Sequence, residues 1–164
     1  MWLLRTELPR FARARGHGAV AGPMLDAALA DLLLAWRDFT GAFDLVGAST
    51  HPITGPARAR TLLLSGRLEE ALATAVEAMT DLRTTTRCAA ELRIVAAGAA
   101  LAEGDRAAAE RYLAAAVSTC RSTGMLCPFL LLPGEVLRAL DTLGSGLPIG
   151  EDPPRRPTVS CPTH

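Results

Sequence analysis

The chain has 164 residues, 49% of them apolar and 21% charged, with seventeen Arg set against seventeen Asp plus Glu and no Lys. That balance marks neither a nucleic-acid-binding nor a membrane-surface protein, and the length fits one domain with a real core. Apolar runs such as "LLLAW" and "FLLLP" are too short to span a membrane, and "MWLLRTELPR" lacks the long apolar stretch of a signal peptide.

The N-terminal stretch carries a turn signal at Gly16 and a break near Pro9. A helix is expected to restart with Pro23 as its first residue, where the missing N–H costs nothing. Met24, Leu25, Ala28, Leu29, Leu32, Leu33 and Trp36 then share one helical face. The segment "TGAFDLVGASTHPITGP" reads as an irregular connection with one short turn of helix.

After Gly66 the stripe Leu68, Leu72, Ala75, Val76, Met79 and Leu82 predicts a helix, with Glu69 and Glu70 at its positive end. Residues 86 to 102 give a second stripe of Cys88, Leu92, Val95, Ala96 and Ala99. Asp105 is placed to cap the next helix, whose stripe is Ala109, Tyr112, Leu113, Ala116, Val117 and Cys120. Gly124 is a stop, and Pro133 precedes a last short helix with Val136, Leu137 and Leu140. A helical domain is therefore expected over 1–143. The Pro/Gly-rich stretch 144–164 reads as a disordered tail.

Three glycines head the same spacing, G-x4-A-x6-A: Gly16 with Ala21 and Ala28, Gly66 with Ala71 and Ala78, Gly104 with Ala109 and Ala116. Glycine lets one helix end and the next return antiparallel; the two alanines let neighbouring helices approach. "GRLEEA" and "GDRAAA" resemble the turn of the tetratricopeptide repeat, G-D-Y-x-E-A, whereas "GHGAVA" matches it poorly. The fold expectation is all-α: tetratricopeptide-like antiparallel helix pairs in a short right-handed superhelix.

No set of residues specifies a reaction. "GHGAVAG" at 16 to 22 lacks the GK[ST] ending and the preceding strand of a P-loop. His17, His51 and His164 are scattered, and Cys88, Cys120, Cys127 and Cys161 form no CxxC pair, so neither a metal site nor any other cofactor is expected and the cysteines read as free thiols. Ser49-Thr50-His51 lacks an identifiable orienting carboxylate and oxyanion site. Arg5, Arg10, Arg13 and Arg15 form a small basic cluster that reads as a solvated helix face.

From Gly55 to Leu143, "RARTLLLSGRLEEALATAVEAM", an Ala-rich helix pair and "GMLCPFLLLPGEVLRAL" resemble the end of the helical-repeat region of MalT-like, large LuxR-type transcriptional regulators. In that family a Gly, a short link, a Pro-Phe step and a leucine-rich helix follow the last repeat; here these are Gly124, Pro128-Phe129 and Leu137 to Leu140. The family's ATPase and helix-turn-helix domains have no counterpart in the pattern of this chain, so ATP and DNA binding are not carried over. The resemblance implies a bacterial, cytoplasmic module of transcription regulation that binds an inducer or a protein partner.

The expected function is thus non-catalytic binding by a stand-alone or truncated relative of that sensor region. The alternatives are a small all-α enzyme with a dispersed site and a degenerate fragment without activity. Registering the first helix of each pair on its turn glycine places Thr6, Arg10, Arg13, Arg60 and Glu91 along the concave groove. Three Arg there would suit a small anionic ligand or an acidic segment of a protein partner.

Overall fold

A computed structural model describes residues 21–144. Within them the chain forms eight α-helices and no strand: α1 (Ala21–Ala35), α2 (Phe39–Val46), α3 (Gly55–Leu64), α4 (Leu68–Thr80), α5 (Thr86–Ala102), α6 (Arg106–Thr123), α7 (Cys127–Leu130) and α8 (Gly134–Asp141), with a 3-10 turn at Pro52–Thr54 before α3. Consecutive helices pack on one another from α1 to α6, and α1, α3 and α5 also pack side by side. The expected break at Pro9, the turn at Gly16 and the tail beyond Gly144 lie outside the described residues.

Helix α5 is the axis of the core. It touches α3, α4, α6, α7 and α8 and buries residues on every side, from Cys88 to Ala100. A helix with buried residues on all its sides belongs in an interior, and its alanines let five neighbours approach. Gly98 lies at a close approach: a Cβ there would lie 3.2 Å from Leu63 Cδ2 and 3.4 Å from Val136 Cγ1. Thr85 caps the helix by accepting from Cys88 N at 3.2 Å. On α6 the predicted stripe is observed, with Ala109, Leu113, Ala116, Val117 and Cys120 buried. Gly124 ends that helix in the left-handed conformation, φ 71°.

One turn geometry recurs three times. Gly66 has φ 80° and Gly104 φ 87°, and each sits between paired helices as its spacing predicts. The third copy, between α1 and α2, is at Arg37, φ 60°. In all three the next residue's N–H reaches back five residues at 2.9 Å: Asp38 to Leu33 O, Arg67 to Leu62 O, Asp105 to Ala100 O. This is the Schellman closure, which satisfies carbonyls a helix end leaves open. The capping residues then share one backbone conformation: φ −89°, ψ 74° at Asp38; φ −86°, ψ 69° at Arg67; φ −83°, ψ 78° at Asp105. Asp38 Oδ1 accepts from Gly41 N at 3.0 Å and Asp105 Oδ1 from Ala108 N at 2.9 Å. Five residues after each left-handed position stands an alanine with no exposed surface: Ala42, Ala71 and Ala109.

Several expectations need correction. Helix α1 is described from Ala21, so Pro23 lies within its first turns and is not its first residue. Its buried side is Leu29, Ala30, Leu33 and Leu34, while Met24, Ala28 and Leu32 are exposed. The stretch taken for an irregular connection holds the two-turn helix α2, nucleated by the Asp38 cap, and the 3-10 turn. On α4 the buried residues are Ala71 and Ala75. Val76 faces out, and Leu82 lies beyond the helix end, fully exposed. Small residues won that interface because α4 lies close to α3: a Cβ on Gly55 would be 3.3 Å from the Cβ of Ala78. The link after Gly124 contains α7, which seats Phe129 with no exposed surface.

Candidate functional site

The side-by-side helices α1, α3 and α5 contribute charged side chains to a single network, one each from α1 and α3 and two from α5. Arg60 of α3 is 2% exposed. Its Nε and Nη2 both donate to Asp31 Oδ1 of α1, at 3.0 and 2.7 Å. Its Nη1 donates to Glu91 Oε2 of α5 at 3.4 Å. Glu91, 5% exposed, accepts a second bond at Oε1 from Arg87 Nε at 2.8 Å. The Arg87 side chain is 59% exposed, so the network runs from the interior to the rim.

Two guanidinium groups and two carboxylates balance. Removing them from water is costly, and their mutual bonds offset part of that cost, provided every member is present. Burial lifts the Asp31 carboxyl above its ordinary range, against the opposing charge and hydrogen bond of Arg60. The hydrogen bond from Arg87 to Glu91, reinforced by the opposite charge, holds the Arg87 guanidinium still more firmly protonated.

Two hollows flank the network, and Asp31 lines both. One, of about 360 Å³, lies between α1, α3 and α5 and is bounded by Met24, Ala28, Ile53, Cys88 and Glu91. The other, of about 530 Å³, opens between the α1–α2 turn and the α7–α8 turn, with Leu34, Arg37, Phe39, Leu64, Leu132 and Glu135 on its walls. A third, nearly apolar, of about 410 Å³, lies between α3, α5 and α8, and shares Leu64 and Glu135 with the second. These volumes fall in the range of small-ligand sites. Comparisons of the chain with protein-family models, with curated proteins and with solved structures found no match.

Of the site residues read from the sequence, Arg60 and Glu91 come together in this network. Thr6, Arg10 and Arg13 lie outside the described residues. Arg60 does not present a free fork to a ligand, because its donors are taken by Asp31 and Glu91. Asp31 and Arg87 were missed. Asp31 did leave a signal, as a lone carboxylate inside the apolar run "AALADLLLAW".

Ser49-Thr50-His51 serves the backbone. Ser49 Oγ accepts from Thr54 Oγ1 at 2.8 Å, and His51 Nδ1 accepts from Ile53 N at 3.3 Å, capping the 3-10 turn. Cys88, Cys120 and Cys127 are free thiols, and burial pushes that of Cys120 up. No group of three or more potential metal ligands occurs among the described residues.

Proposed function

We propose that the chain is a non-catalytic binding module: a tetratricopeptide-like array whose first helices, α1, α3 and α5, line the concave groove where a protein segment or a small ligand is held. The observation that carries this reading is the alignment of three helices, each headed toward the same turn geometry, with one network strung across them and a hollow on either side. Repeat arrays bind along such faces because stacking leaves the first helices of successive pairs adjacent. The resemblance to MalT-like regulators fits the same role, that of a sensor or interaction region in transcription regulation.

The charge pattern alters the expected ligand. Arg60 is neutralised within the chain, so selection falls to the hollows and their rims instead of an Arg-lined anion surface. Photo-crosslinking tests the reading. A benzophenone side chain at position 28, on the wall of the 360 Å³ hollow, should give discrete adducts in cells. The same group at position 115, on the exposed side of α6, should not. Indistinguishable adduct patterns from the two positions would contradict a groove-binding role.

A further inference from the structure

Three turns share one backbone, yet two carry glycine at the left-handed position and the third carries Arg37. A side chain there is disfavoured by contact between its Cβ and the following carbonyl. Arg37 is itself exposed, so burial does not offset that cost. Its side chain instead lines the 530 Å³ cavity, with the guanidinium 5.9 Å from the centre of the Phe39 ring.

The cavity's charges are unevenly satisfied. Asp31 is tied to Arg60. Neither Arg37 nor Glu135, in the first turn of α8, has an ion-pair partner among the described residues. One cation and one carboxylate therefore line the same cavity without reaching each other, and much of the remaining wall is leucine, Leu34, Leu64 and Leu132 among them. A ligand that meets both charges must carry one of each, joined by an apolar body.

We propose that this cavity binds an apolar zwitterion, an amino acid or a short peptide with free ends. Its carboxylate pairs with Arg37, whose planar fork suits bidentate contact, and its ammonium pairs with Glu135. Its side chains lie against the leucines. The proposal rests on the binding-module reading and names one ligand class for it.

Calorimetric titration of the purified chain tests it, with leucyl-leucine, its N-acetyl form, its C-terminal amide and free leucine as probes. Leucyl-leucine should bind, and blocking either end should weaken binding roughly ten- to hundredfold, as should Arg37→Gly and Glu135→Gln. Free leucine binding as tightly as the dipeptide would assign the site to amino acids; the reverse order would assign it to peptides. Arg37→Gly relieves the backbone, so its thermal midpoint should rise even as binding is lost, which separates recognition from folding. No heat from any probe at millimolar concentration, or equal binding by the blocked dipeptides, overturns the proposal. If discrete crosslinks from position 28 persist in that case, only the zwitterion is lost; if they too are absent, the binding-module reading fails with it.

Discussion

The described residues are held by two unequal cores. Beneath α1 and α2 six residues are buried together: Ala30, Leu33, Leu34, Ala42, Val46 and Ala57. Around α5 the corresponding cluster has twenty-three, drawn from α3 to the segment after α8. Helix α3 belongs to both, giving Ala57 to the first and Ala59, Leu62 and Leu63 to the second. Apolar burial scales with area, so the α1–α2 pair draws far less from it than the α5 core does. The Asp31–Arg60–Glu91 network crosses the same junction. What the larger core secures by alanine-to-alanine approach, the junction secures in part by charge, and the hollows open at that junction.

Breaking the network should have the largest effect. Arg60→Met leaves Glu91 and Asp31 facing each other without the shared guanidinium, and should cost about 3 to 5 kcal/mol in urea unfolding. Overpacking comes next. Ala109→Leu, at a fully buried contact of α6, should cost about 1 to 3 kcal/mol. Ala42→Leu, in the smaller cluster, should fall at the lower end of that range; equal costs would show the two cores to be equally rigid.

The turns sharpen the comparison at finer scale. Asp38→Ala and Asp105→Ala each remove a capping acceptor and should cost about 1 kcal/mol. Arg67→Ala should cost less, because Arg67 makes no cap bond and among the described residues pairs with exposed Glu70 and the face of Phe43. At the left-handed position the signs should oppose: Arg37→Gly stabilises by up to about 1 kcal/mol, and Gly66→Arg destabilises by about 1 kcal/mol.

The smallest effect is that of pH. The folded value of Asp31 lies above its ordinary 3.8, so its stability contribution is complete below that pH and is lost as the pH rises through the folded value. Asp31→Asn should therefore gain on the wild-type chain as the pH rises from 3.8. An Asn variant that loses ground over the same range would mean that the pull of Arg60 outweighs burial.

The later helices were legible because their signals are local. A glycine turn, a cap such as Asp105 and a run of periodic apolar residues all act within a few positions, and α5, α6 and α8 follow from them. The α1–α2 turn was hidden because Arg37 stands where the pattern calls for glycine, although Asp38 with Phe39, Ala42, Phe43 and Val46 at helical spacing marks α2. The face of α4 was legible in part: Ala75 stands in the expected stripe and Ala71 in the turn pattern, and Leu68, Leu72 and Met79 pack against the core, but Val76 and Leu82 do not belong to that face, where close helix approach selects small residues. Arg60 and Glu91 stood out in the sequence as expected groove positions, and the structure shows them paired. Their bonds span 29 and 31 residues, to Asp31 and to each other, and no local pattern encodes that pairing.

The measurement that bears most directly on the two-core account is native-state amide hydrogen exchange, comparing α1 and α2 with α5 and α6 in the wild-type chain and in Arg60→Met. Regions with fewer buried contacts open at lower free energy. Protection in α1 and α2 should be weaker than in α5 and α6, and Arg60→Met should lower it further while leaving α6 nearly unchanged. Uniform protection across all four helices, or an equal loss in α6, would contradict a junction held by charge between a small core and a large one.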